Sequence, residues 1–179
     1  KIKKVQELIS TKEYNCANDV ISKILEKKPD LSSALFYSAV VEFKLGKSAD
    51  TILTKLNSCA IYFESATKEQ CISDSMNYDY TKSRLELMMY ELSDFAYNNY
   101  YKSSNNIDSI NQFKSKFKIT EAKRKNINDR ICQIAANNIT NISAREVLLN
   151  FIQNYKECTQ LELVKSKLQQ LDWQVAKNI

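Results

Sequence analysis

The 179-residue chain has no histidine, one glycine (Gly46) and one proline (Pro29). Each scarcity excludes something. An all-β protein needs many tight turns, and tight turns lean on Gly and Pro. A nucleotide-binding α/β protein needs Gly-rich loops. A hydrolytic triad normally needs an imidazole base. No apolar run approaches eighteen residues, so no stretch reads as a membrane span. What remains is an all-helical chain. Its 44% hydrophobic and 26% charged residues suit a globular protein and not a disordered one. The length suits one domain covering 1–179. The net charge of +5 is mildly basic. The chain starts at Lys1 with neither an apolar signal core nor a cleavage site, which reads as a processed form whose export signal has been removed.

Cysteine is present but widely spaced. Cys16, Cys59, Cys71, Cys132 and Cys158 contain no pair closer than twelve residues and no CxxC. A zinc site would want short-spaced ligands, so no metal is expected, and no cofactor motif is found. Cys59 and Cys71 flank a predicted helix-to-helix turn and could meet. A disulfide there would support an oxidising compartment; the other reading is plain core cysteines.

Helical periodicity dominates what is there. Stripes run through Ile2, Val5, Leu8 and Ile9, and through Tyr14, Ala17, Val20, Ile21, Ile24 and Leu25. A third carries Ala34, Leu35, Ser38, Ala39, Val41, Glu42 and Leu45. A fourth carries Ile52, Leu53, Leu56, Cys59, Ala60 and Phe63. Cap signals separate them. Ser10/Glu13 and Thr67/Gln70 fit capping boxes, Asp30 and Ser48 fit N-caps, and Gly46 fits a C-terminal stop. A short, poorly periodic segment runs to about Met76. A long helix to about Tyr101 follows, with Leu85, Met88, Met89, Leu92, Phe95 and Ala96 inward. After a polar loop at 102–106 come helices bearing Ile107, Ile110, Phe113 and Phe117, then Ile127, Ile131, Ile134 and Ala135 behind a Thr120 cap. Ser143/Glu146 and Thr159/Glu162 open the last two. The expected hairpins are roughly 1–27, 30–64, 67–101, 106–137 and 142–178.

These hairpins repeat. Phe113–Lys114–Ser115–Lys116–Phe117 matches Phe151–Ile152–Gln153–Asn154–Tyr155 in aromatic spacing, 38 residues on. At the front, Lys12–Glu13–Tyr14, Ala17, Ile21, Ile24–Leu25 and Pro29 resemble the tetratricopeptide repeat, and the likeness is clearest over 11–60. The back half is similar in style to the divergent hairpin repeats of bacterial envelope lipoproteins of the outer-membrane-assembly type. Lys156 stands where that family often has Pro. The resemblance implies a right-handed stack of antiparallel helical hairpins, a tetratricopeptide-like superhelix, whose concave groove binds peptides or partner proteins. It also suggests a bacterial cell envelope location, with the cytoplasm as the alternative.

Two surface signals stand out. Segment 114–130 has seven basic residues against Glu121 and Asp129, a net of +5. With Phe113 and Phe117 interleaved, it could set lysines on phosphates and rings under bases, or serve an anionic surface. The other reading is a core-facing Phe pair on a helix with a basic outer face. Segment 78–101 is rich in tyrosine, which suits protein recognition. Carboxylates such as Glu64/Glu69 and Glu86/Glu91 read as solvating charges. Asp50–Thr51–Ile52, Asp74–Ser75–Met76 and Asp108–Ser109–Ile110 resemble a short O-glycosylation pattern; Asn138–Ile139–Thr140 and Asn141–Ile142–Ser143 fit the N-glycosylation one. The expectation is a non-catalytic protein- or peptide-binding scaffold with candidate contact residues Tyr97, Tyr100, Tyr101, Lys123, Arg124 and Lys125. The alternative is nucleic-acid or anionic-surface binding through 114–130.

Overall fold

The computed structural model describes residues 1–139 and 144–177. Among them are ten α-helices, one π-helical turn and no strand. The helices are α1 (Ile2–Ser10), α2 (Tyr14–Leu25), α3 (Ser32–Lys44), α4 (Ala49–Ser65), α5 (Lys68–Tyr78) and α6 (Lys82–Ala96). The π turn (Tyr97–Tyr101) follows, then α7 (Ile107–Lys116), α8 (Glu121–Ile139), α9 (Arg145–Asn154) and α10 (Leu161–Lys177). The chain divides into two compact units, Lys1–Asn99 and Tyr100–Ile179. The expected Ser143 cap and both N-glycosylation patterns fall wholly or partly on 140–143, outside the described residues.

In the first unit α1 buries Ile2, Val5 and Leu8, the predicted stripe at three-residue spacing. α1 is stopped just past its Thr11 cap by Lys12, whose φ is 62°. The Lys12 N–H donates to the Ile9 carbonyl (3.0 Å) and the Glu13 N–H to the Leu8 carbonyl (2.8 Å). This is a Schellman stop. It replaces the predicted Ser10/Glu13 capping box. Ser10 is still helical, and its hydroxyl donates back to the Glu7 carbonyl at 2.6 Å. Gly46 makes the same stop after α3, as predicted. Its φ is 69°, and the Gly46 and Lys47 N–H groups donate to the Phe43 and Glu42 carbonyls at 3.1 and 2.9 Å. Asp30 does not cap α3; Leu31 holds that position without a side-chain bond. Ser48 sits at the cap of α4, also without one.

α3 is the centre of this unit. It packs on α1, α2, α4 and α6, and buries Phe36 and Tyr37 as well as Ala34, Ser38, Ala39 and Val41. A helix covered on several sides loses its one-sided pattern, which is why Phe36 and Tyr37 fall outside the predicted stripe. α5 buries no residue. It is fixed instead by polar ties and by the residue that follows it. The Thr67/Gln70 capping box forms as predicted, at 2.7 and 3.3 Å. The Tyr62 hydroxyl donates to Asp74 (2.5 Å), and the Tyr78 carbonyl accepts from Gln6 (2.7 Å) and Tyr37 (2.6 Å). Tyr80 is fully buried, its ring 5.2 Å from Phe36 and 4.7 Å from Phe63, its hydroxyl bonded to Ser32. Thr81 caps α6, which buries Leu85, Met88, Leu92, Ser93 and Ala96. The α-helix stops there, and the last stretch of the predicted long helix is the π turn.

In the second unit Asn106 caps α7 and Thr120 caps α8, through the N–H groups of Ser109 (3.1 Å) and Lys123 (3.3 Å). Ala135 and Ala136 of α8 pack with Leu148 and Phe151 of α9 and Val164 of α10. Phe113 and Phe117 are buried and stacked at 5.0 Å; Phe151 and Tyr155 stack at 4.8 Å. The first helical bond of α10 runs from the Val164 N–H to the Gln160 carbonyl, one residue past the expected Thr159 cap. Leu168 and Leu171 are partly buried, but Trp173 and Val175 are exposed.

The disulfide joins Cys132 to Cys158, with Cα atoms 5.6 Å apart. Cys59 and Cys71 do not pair; of their two readings, plain cysteines are what is found. Cys59 is a buried free thiol facing α3, its sulfur 3.4 Å from the Ser32 carbonyl oxygen, and Cys71 is a half-buried free thiol on α5. Cys16 is free and exposed.

Candidate functional site

The second unit carries an open cleft of about 1010 Å³. That lies at the upper end of the volumes usual for ligand sites. One wall belongs to α7 and α8 and presents Asn111, Lys114, Glu121, Lys125, Asn128 and Asp129. The other is the end of α9 and the turn into α10, from Gln153 through Cys158. Both half-cystines line it.

The sequence places these side chains by simple means. Thr120 starts α8, so Glu121, Lys125 and Asn128 recur at helical spacing along one face. Phe113 and Phe117 turn inward and leave Lys114 at the rim. Phe151 and Tyr155 stack beside the core and leave Gln153 and Asn154 facing out. Lys114 donates to the Asn128 carboxamide oxygen (2.5 Å). Partial burial, helped by Arg124, pushes the Lys114 ammonium below the usual lysine range. The charges balance: Lys114, Lys125 and Lys156 face Glu121, Asp129 and Glu157. The remaining polar side chains of the lining are the Tyr155 phenol and four carboxamides, each carboxamide with donors and an acceptor.

Of the six expected contact residues, only Lys125 lines this cleft. Lys123 and Arg124 are half-buried on α8, and Arg124 pairs with Glu121 at 3.8 Å. Tyr97, Tyr100 and Tyr101 lie on the π turn. Tyr101 packs on Phe113 with ring centroids 4.9 Å apart, Tyr97 is half-buried, and Tyr100 is 58% exposed. The burial of Phe113 and Phe117 takes both rings away from any stacking on bases.

Sequence reasoning missed Asn111, Asn128, Gln153 and Asn154. Asparagine and glutamine on exposed helix faces carry no pattern of their own. The one available signal was position: Gln153 and Asn154 sit inside the repeated aromatic phrase.

Elsewhere the other marked residues are scattered. Glu64 and Glu69 are exposed, and the Glu69 carboxyl is held below the usual range by its own backbone N–H and by Thr67. Glu86 is half-buried and Glu91 exposed. Thr51, Ser75 and Ser109 all lie within helices. A second, smaller pocket of about 230 Å³ lies among Ile139, Leu148, Leu163 and Val164. Among the described residues no group of three or more Cys, Asp or Glu could hold a metal ion, and no helix is long and apolar enough to cross a membrane. Compared with known proteins, the chain matches no family model, no curated protein and no solved structure.

Proposed function

We propose that the chain is a non-catalytic interaction module that holds an extended peptide segment of a protein partner in the cleft of the second unit. The observation that carries this reading is the carboxamide lining: Asn111, Asn128, Gln153 and Asn154. An extended peptide presents alternating donors and acceptors along its main chain, and a carboxamide answers either. Three lysines against three carboxylates favour a neutral or mixed-charge segment over a strongly charged one.

The same reading takes the molecule as a tetratricopeptide-like stack of helical hairpins. Support comes from the two aromatic pairs. Phe113/Phe117 and Phe151/Tyr155 close α7 and α9 with interplanar angles of 25° and 26° and nearly equal centroid distances. The Cys132–Cys158 bond supports an oxidising compartment, such as a bacterial cell envelope.

Selection from a random peptide library on the full chain tests it. Peptides should be recovered, and the Asn128→Ala/Asn154→Ala double variant should weaken them about tenfold or more, as expected for losing two or more hydrogen bonds. Lys123→Glu, outside the cleft lining, should leave them bound. Recovered peptides indifferent to the double variant would remove the cleft from the mechanism.

A further inference from the structure

The end of the α7–α8 hairpin gathers basic residues, most of them outside the cleft lining. Residues 114–125 hold Lys114, Lys116, Lys118, Lys123, Arg124 and Lys125 against a single carboxylate, Glu121. Lys116 closes α7, Lys118 lies in the turn, and Lys123 and Arg124 lie in the first turn of α8. The short turn therefore brings both helix ends, with their cations, to one place. Lys116 and Lys125 are exposed, and the other four are half-buried. A half-buried lysine of this kind lays its stem along the surface and keeps its ammonium in water. Of the six, only Lys114 and Lys125 line the cleft.

Local stability does not ask for this arrangement. A helix N-terminus carries partial positive charge and favours acids in its first turn. Glu121 follows that rule; Lys123 and Arg124 break it. The cations also crowd one another. Burial, and then the nearby Arg124, hold the Lys114 ammonium below the usual lysine range. Glu121 relieves little of this, because it stands 3.8 Å from Arg124 and is almost wholly in water. An anion arriving from outside the chain relieves both conflicts.

Two features select the kind of anion. Phe113 and Phe117, the rings interleaved with the lysines, are buried and stacked on each other. The platform on which a single-stranded nucleic acid stacks its bases is therefore missing. Lys123, Arg124 and Lys125 are successive on α8, so their side chains leave the helix about 100° apart. They ring the start of the helix instead of forming one stripe along it, which suits a broad charged surface. We propose that the α7–α8 turn docks the second unit on a membrane surface of anionic lipid, with Lys116, Lys118, Lys123 and Arg124 over the headgroup phosphates. Each basic residue near such a surface adds to the attraction, which fades within a Debye length. The large apolar side chains of the turn, Phe117 and Ile119, are buried, so the contact is electrostatic and reversible by salt. Lys116, Lys118, Lys123 and Arg124 lie outside the cleft lining, so docking and peptide capture use different side chains.

Sedimentation of the full chain with phospholipid vesicles decides this. The chain should pellet with vesicles of equal parts phosphatidylglycerol and phosphatidylcholine at about 50 mM salt and be released at about 500 mM. It should stay in solution with phosphatidylcholine alone. Lys116→Glu/Lys118→Glu/Lys123→Glu should weaken anionic binding at least tenfold. Lys116→Gln/Lys118→Gln/Lys123→Gln, which adds no negative charge to the start of α8, should weaken it at least threefold. Charge reversal at Lys3, Lys27 and Lys28, exposed residues of the first unit, should change it less than twofold. Equal loss from the two reversal sets would mean attraction by net charge alone and would overturn the proposal. No binding to the anionic vesicles, or binding indifferent to salt or to the α7–α8 variants, overturns it as well. Tighter binding to a single-stranded oligonucleotide than to the vesicles would make the turn a nucleic-acid surface instead.

Discussion

Lys12 and Gly46 hold the same place in two copies of one turn. Each ends a helix at positive φ, 62° and 69°, with the same pair of backbone bonds. The left-handed conformation costs a side-chain-bearing residue roughly 1 kcal/mol and glycine almost nothing. Lys12→Gly should therefore stabilise the first unit by about 0.5–1 kcal/mol, and Gly46→Ala should destabilise it by a similar amount. No atom lies within 4 Å of a Cβ placed on Gly46, so the second effect comes from the backbone alone. Urea midpoints of the two variants should move in opposite directions. A second prediction concerns the tyrosines. Burial, then the hydrogen bond to Asp74 and its charge, push the Tyr62 phenol up to about 12. Burial also raises Tyr37 and Tyr80. At neutral pH these groups are protonated folded and unfolded alike. From about pH 10 upward the unfolded chain gives up its phenolic protons first. The unfolded state then binds fewer protons, and stability falls as pH rises. Denaturant titrations should show that fall between about pH 10 and 12, with a shallower slope in Tyr62→Phe. An unchanged slope would mean that Tyr62 titrates alike in both states.

At the scale of the element, α5 is the test of what capping can do alone. It buries nothing, so its order rests on the Thr67/Gln70 box, the Tyr62–Asp74 bond and the Tyr78 and Tyr80 anchors at its end. Thr67→Ala should cost about 1 kcal/mol. The cost should appear as faster hydrogen exchange confined to 68–74. Loss spread over α3 and α4 would show that the cap supports the whole unit. The same scale shows where the sequence was legible. α1, α2 and α7 each turn one face inward, and their predicted stripes supply the residues they bury. α3 is packed on several sides, so its period carried no information about Phe36 and Tyr37. Tyr80 lies in the three-residue break between α5 and α6, where no periodicity exists to mark it as core. Ser10/Glu13 fitted a capping box by residue type, but α1 ends where that box would begin.

At the scale of the molecule, the second unit offers a direct test of how it is held. Ending the chain before Ser143 removes Leu148, Phe151 and Val164, and with them the cover of Ala135 and Ala136. It also leaves Cys132 without its partner. The truncated protein should self-associate, read as a concentration-dependent shift in size on a gel-filtration column under reducing conditions. A monomer with α8 still protected from exchange would show that α9 and α10 are dispensable to the rest of the unit. The full chain with the Cys132→Ala/Cys158→Ala pair is the control, because it removes the bond and keeps the apolar cover.

Local chemistry determined much of this protein. Scarce glycine and proline left helices as the available structure, side-chain periodicity placed them, and the hydroxyls of Thr67, Thr81 and Thr120 and the carboxamide of Asn106 set where four begin. Those are short-range effects, decided within about four residues, and they can be read from neighbours in the chain. Only the tertiary structure decided which cysteines pair, what plugs the first unit and where the cleft lies. Cys132 and Cys158 are 26 residues apart, and Tyr80 meets Ser32 from 48 residues away. The cleft is made by α7 and α8 on one side and a turn beyond α9 on the other. Such contacts depend on which helices meet and at what register, and residues within about four of one another do not record that.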